Sequence, residues 1–230
     1  MRQEATLARQ KLTTPRAAAV AGILFSILLI TSLVLIRISV PGDPRAFGAG
    51  LDGSWKPVNL ALNLLPFAGI AFLWFIGVVR DRLGEYEDRL FATVFLGSGL
   101  LFLAMLFSSA AVAGGMISIF GTIPPGRLIE SGVYTFGRAV TYEIMNVYAM
   151  KMAGVFMIST CTLALRTGIL PRWMAFLGLA LALVLLLSIG HYAWISLVFP
   201  LWVLLISVHI LIANLRMPPE ALSTQTEINV

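Results

Sequence analysis

Six long apolar segments occupy the chain between Ala17 and Ala213, and the connections between them are too short to hold a soluble domain. A run of about 20 apolar residues matches the roughly 30 Å hydrocarbon thickness of a bilayer, so the pattern predicts an all-α integral membrane protein, a bundle of six transmembrane helices. The segments cover about Ala17 to Ile36, Pro57 to Val79, Leu90 to Phe120, Arg138 to Leu165, Trp173 to Ile189 and Ala193 to Ala213. One transmembrane domain, residues 17–214, is expected between a basic tail (1–16) and a polar, Pro-containing tail (215–230) whose composition predicts disorder. The first segment is longer than a signal-peptide core, and no small-residue cleavage site follows it before Arg37, so it is read as a retained helix.

Topology follows from the basic residues. If both termini share one side, that side carries Arg2, Arg9, Lys11, Arg16, Arg80, Arg82, Arg89, Arg166, Arg172 and Arg216, against Arg37, Arg45, Lys56, Arg127 and Arg138 on the other. The positive-inside rule then puts both termini in the cytoplasm, with the Asp81–Asp88 hairpin inside and the loops around Asp52 and Arg127 outside. The same distribution explains the formal charge of +5 without nucleic acid, because the cations stand singly or in small groups beside apolar segments. Cys161 is the single cysteine and lies within an apolar run, which excludes a disulfide framework and a cysteine-based zinc site. His191 and His209 are separated by about 27 Å along a continuous helix, too far to share a metal. No metal, cofactor or nucleic acid is expected, and the bilayer itself is the first partner.

Two short motifs resemble known families. Gly77-x-x-x-Asp81-Arg82-x-Gly84 resembles the first half of the signature between the second and third helices of major facilitator transporters. It continues with Glu85 and Glu87 where that family has basic residues, and the family has twelve helices. Leu96-Gly97-Ser98-Gly99 with His209 is similar to the serine and histidine of rhomboid proteases, but the first glycine of that motif is missing and the serine lies on the third segment. Neither family is adopted. The third segment also carries Ser108 to Gly115, in which Ala110/Gly114 and Ala111/Gly115 have the small-xxx-small spacing that lets backbones approach closely. That face is expected to be an interface, within the bundle or with a membrane-protein partner, whereas Leu185 on the Leu-rich fifth segment is expected to face lipid.

The fourth segment carries the candidate site. At about 100° per residue, Asn146, Glu143 and Lys151 fall within an arc of about 140°. Charges at the centre of a membrane helix cost about 2.5–3.5 kcal/mol on insertion scales, so they usually face a bundle interior or water. Glu143 and Lys151 lie about 12 Å apart along the axis, and Asn146 between them could bridge the pair. Arg138 and Tyr142 read as markers of the outer interface. On the second segment, Asn59 and Asn63 share one face with Pro66, which can free a backbone carbonyl nearby. The sequence thus leads to an expected binding site for a small polar solute or ion, formed by Glu143, Asn146, Lys151, Asn59 and Asn63 in an outward-facing cavity. The alternative is a non-catalytic assembly subunit. No complete catalytic constellation is present, and the expected location is a bacterial cytoplasmic membrane.

Overall fold

The computed structural model describes residues 2–39, 55–83, 89–120, 127, 130–168, 170–188 and 194–215, with side chains at 17–39, 56–80 and 93–119 in the first three ranges and throughout the rest. These residues form helices and no strand. α1 spans Arg2–Ser39, α2 Trp55–Leu83 and α3 Arg89–Phe120. α4 (Val133–Glu143), a π-helical stretch (Ile144–Ala149) and α5 (Met150–Thr167) follow one another without a break. After α6 (Arg172–Leu187) come a 3₁₀ turn (Ile195–Leu197) and α7 (Val198–Leu215).

Five helical stretches are long and apolar enough to cross a membrane: Ala17–Ser39, Lys56–Arg80, Thr93–Ile119, Val133–Thr167 and Ile195–Leu215. The fifth segment of the sequence differs. α6 has 16 residues, about 24 Å at 1.5 Å per residue, which is short of the roughly 30 Å hydrocarbon core. The fourth stretch departs in the other direction: its 35 residues reach about 52 Å, so it must tilt strongly or project beyond the bilayer. It begins at Val133 rather than near Arg138, because Gly132 takes the left-handed conformation (φ 73°) and starts the helix there. At its other end Gly168 (φ 69°) donates its N–H to the Ala164 carbonyl, and Pro171 opens α6. The backbone of residues 2–16, expected as a tail, continues α1 as helix, in keeping with the strong helix formers between Glu4 and Leu12. Gly84–Asp88 of the charged hairpin and the C-terminal tail from Arg216 lie outside the described residues.

α1 packs most extensively against α2 and α7, while α5 packs against α6 and α3. In a bilayer, lipid competes equally for apolar surface, so helices must be held by shape and by hydrogen bonds. The shape here centres on five phenylalanines, one each from α1, α2, α3, α5 and α7. Phe72 has ring-centroid distances of 4.6 Å to Phe25, 5.4 Å to Phe102, 5.3 Å to Phe156 and 5.7 Å to Phe199, with Phe102 and Phe199 4.8 Å apart. All five of these pairs are tilted or edge-to-face, avoiding the face-to-face sandwich that the ring quadrupoles disfavour. α6 contributes no ring to this hub and packs on its periphery.

The closest helix approaches fall elsewhere than the small-residue face of α3. A Cβ added at Gly154 would lie 3.2 Å from the Ala182 carbonyl oxygen, and one at Gly178 would press on Cys161 and Trp202. By contrast, a Cβ at Gly114 would come no nearer than 4.0 Å to Leu62, and one at Gly115 would meet open space. Ser109 and Ala110 turn inward, whereas Ser108, Ala111 and Gly115 are exposed. Leu185, expected to face lipid, is fully buried, since the small residues Gly154, Gly178 and Ala182 draw that face of α6 against α5.

Candidate binding cavity

The side chains on one end of the bundle leave a cavity of about 210 Å³, bordered among others by Leu33, Arg37, Leu62, Ser109, Arg138 and Asn146. Its walls come from the C-terminal ends of α1 and α3, the N-terminal ends of α2 and α4, the π-helical stretch and the turn before α7. It therefore lies at the end of the bundle away from the start of α1 and the end of α7. Leu65 and Leu106 line its inner part, and Phe72 and Phe102 of the hub stand one to two helical turns deeper on the same helices.

Local helix geometry sets the polar groups. Gly137 on α4 lets Met116 of α3 pack directly on the helix backbone. That close approach allows the Ser109 hydroxyl to donate across to the Thr141 carbonyl at 3.0 Å. One residue on, the Asn146 amide donates to the Tyr142 carbonyl at 3.2 Å. Two consecutive carbonyls at the entry to the π-helical stretch thus receive side-chain donors, where the regular i→i−4 ladder gives way to i→i−5 bonding. Such local widenings occur frequently at functional sites, and here the stretch contributes Met145 and Asn146 to the cavity wall. On α2, Pro66 removes the main-chain donor that would serve the carbonyl of Leu62, another wall residue.

The residues singled out from sequence separate. Asn146 lines the cavity; Glu143, Lys151, Asn59 and Asn63 are not part of its wall among the described residues. Glu143, Asn59 and Asn63 are exposed on the outer surfaces of their helices. Lys151 is partly buried and its ammonium donates to the Leu186 carbonyl at 3.0 Å. Leu186 stands in the last turn of α6, whose carbonyls have no partner within the helix and carry the negative end of its dipole. Lys151 therefore caps a short helix inside the bundle, rather than bridging to Glu143. Ser98 is buried and its hydroxyl donates to Phe95 O of its own helix, at 3.1 Å. Among the described residues no group of three His, Cys, Asp or Glu comes together.

Among the cavity residues, Arg37 and Tyr134 were passed over by sequence reasoning, and Arg138 and Tyr142 were assigned to the interface. The Arg138 guanidinium hydrogen-bonds the Tyr134 hydroxyl one turn earlier, and its Nη1 is buried. A signal for Tyr134, Arg138 and Tyr142 existed in the i, i+4, i+8, i+12 spacing of Tyr134, Arg138, Tyr142 and Asn146, which aligns all but the first with the expected span and puts one polar stripe along the helix.

These features define an all-helical, multi-pass integral membrane protein with one polar-and-apolar cavity described at the end of its bundle. Comparison with protein-family models, with curated proteins and with solved structures finds no match to this chain.

Proposed function

We propose that the protein binds a small solute in this cavity, from the outer face of a bacterial cytoplasmic membrane, and serves in its uptake or passage. In this reading α6 completes a six-helix bundle with both termini cytoplasmic, as the distribution of arginine and lysine favours. That topology puts the ends of α1 and α3 and the starts of α2 and α4 outside, so the cavity opens outward. The observation that carries the reading is the cavity itself: five helical stretches converge around about 210 Å³ that they do not fill, although interiors normally pack to near-crystal density. Arg37, Arg138, Tyr142 and Asn146 reach its wall, and the phenylalanine hub below would act as the inner closure of an outward-open state.

The assembly-subunit reading is supported by a different observation. Ala111 and Gly115 are exposed on α3 at one-turn spacing, and nothing among the described residues packs against Gly115, which would suit close approach of another helix. Purification from the native membrane without crosslinking, followed by mass spectrometry of retained small molecules and proteins, separates the two. The solute reading expects a small molecule retained by the wild type and lost from a cavity-filled Ala113→Trp variant. Identical small-molecule content in both, with a stoichiometric protein partner, would decide for the subunit.

A further inference from the structure

The chemistry of the cavity wall narrows the ligand, on the assumption that the binding reading above holds. Two cations reach the wall, Arg37 from the end of α1 and Arg138 from α4, and no carboxylate among the described residues accompanies them there. Arg138 is oriented by its bond to Tyr134, while Tyr142 and Asn146 follow on the same face of the rod. Guanidinium groups held in place offer forked donors that match carboxylate and phosphate oxygens. The rest of the wall is mainly aliphatic, including Leu33, Leu62, Leu106 and Met116.

We infer that the ligand is an anionic amphiphile: a carboxylate or phosphate headgroup carrying a hydrocarbon chain, with the headgroup between Arg37 and Arg138 and the chain along the aliphatic wall. Each competing chemistry meets a physical objection. A cation would enter a site that already holds two positive charges and, among the described residues, no acid. A sugar would leave most of its hydroxyls against aliphatic side chains without partners. A bare inorganic anion would lose its hydration without using the apolar wall that forms most of the space. The volume of about 210 Å³ holds roughly seven groups the size of a water molecule, at about 30 Å³ each. A headgroup and a few methylenes therefore fill it, and a longer chain must leave through the cavity mouth.

The test is a binding series on the full-length protein in maltoside micelles, by calorimetry, with octyl phosphate, octanoate, octyltrimethylammonium, octanol and inorganic phosphate. Octyl phosphate and octanoate should bind at least tenfold tighter than octyltrimethylammonium or octanol, and whichever of the two binds tighter identifies the headgroup. Shortening the chain from six carbons to four should weaken binding by roughly fourfold per methylene, the value of a buried CH₂. Arg138→Gln should weaken octyl phosphate at least tenfold. Arg37→Gln should do the same, and because Arg37 is exposed at a helix end that variant tests the charge without endangering the fold. Octanol binding as tightly as octyl phosphate, with Arg37→Gln unchanged, would overturn the anionic assignment and leave the cavity standing. Inorganic phosphate equalling octyl phosphate would overturn the amphiphile. If no octyl compound binds and Ala113→Trp alters nothing, the binding reading itself falls.

Discussion

Alanine substitutions at three glycines should separate packing contacts from open helix surface, and their order can be worked out in advance. At Gly115 the new methyl group enters open space, so the change keeps only the helix-propensity gain of up to about 1 kcal/mol. At Gly154 it would sit 3.1 Å from Leu186 Cγ and 3.2 Å from the Ala182 carbonyl oxygen. Those distances are a few tenths of an ångström too short, and a backbone oxygen yields less readily than a side-chain tip. At Gly178 it would press on the Cys161 sulfur and the Trp202 indole, both on fully packed side chains. Overpacking a filled core typically costs about 1–3 kcal/mol, so Gly178→Ala should lose up to about 2 kcal/mol after the propensity gain is subtracted. For a chain of this size each kcal/mol moves Tm by about 2–4 °C. Gly115→Ala should therefore match or exceed the wild type, Gly154→Ala should fall slightly below it, and Gly178→Ala should fall by as much as about 8 °C. Thermal unfolding in one detergent, followed by size-exclusion chromatography after heating, measures the order. Equal midpoints for Gly178→Ala and Gly115→Ala would refute the assignment of Gly178 to a filled contact between α6, α5 and α7.

Phe72→Leu should cost about 1–3 kcal/mol through loss of its aromatic pairs, while Phe67→Leu, at a position 61% exposed, should leave the unfolding midpoint unchanged. Ser109→Ala removes the bond to Thr141 and should cost about 0.6–1.7 kcal/mol, the range for hydrogen bonds between membrane helices; Ser108→Ala, whose hydroxyl bonds only within its own helix, is the control. Because Lys151 caps α6 and does not reach Glu143, Lys151→Met and Glu143→Gln should have additive effects within about 0.5 kcal/mol, and a larger coupling in the double variant would restore the ion-pair reading.

The membrane class was legible because a bilayer imposes length and apolarity on every crossing, and Ala17–Ser39, Lys56–Arg80 and Ile195–Leu215 follow that rule closely. Which side of each helix faces inward was not legible. Helices that are apolar all round give no moment to orient them, so nothing in the pattern distinguished Phe72 and Phe102 in the hub from Phe67 and Phe136 on the surface. Leu185 was misassigned for the same reason: a Leu-rich helix reads as lipid-facing until the small residues opposite it are known. The candidate cavity was partly legible, since one of the polar residues singled out on the fourth segment, Asn146, lines it. The helical wheel assumed an unbroken α period across Ile144–Ala149, where the structure has a π-helical stretch, and it favoured Lys151, a charge whose partner is a backbone carbonyl invisible to side-chain pattern. Arg138 was discounted because the helix was expected to begin at that residue rather than at Val133.

The central claim is that the cavity beside Asn146 is open to the outside of the cell, and the accessibility of a cysteine placed there tests it most directly. In a Cys161→Ala background, Asn146→Cys would be treated in intact cells with a membrane-impermeant thiol reagent, beside Leu73→Cys on an exposed, mid-span position of α2 as the lipid-facing control. The account predicts modification of Asn146→Cys at least ten times faster than of Leu73→Cys, slowed when Ala113→Trp or Leu62→Trp narrows the space. An Asn146→Cys protein that stays unmodified in intact cells, or reacts only once the cells are permeabilised, would contradict an outward-open cavity.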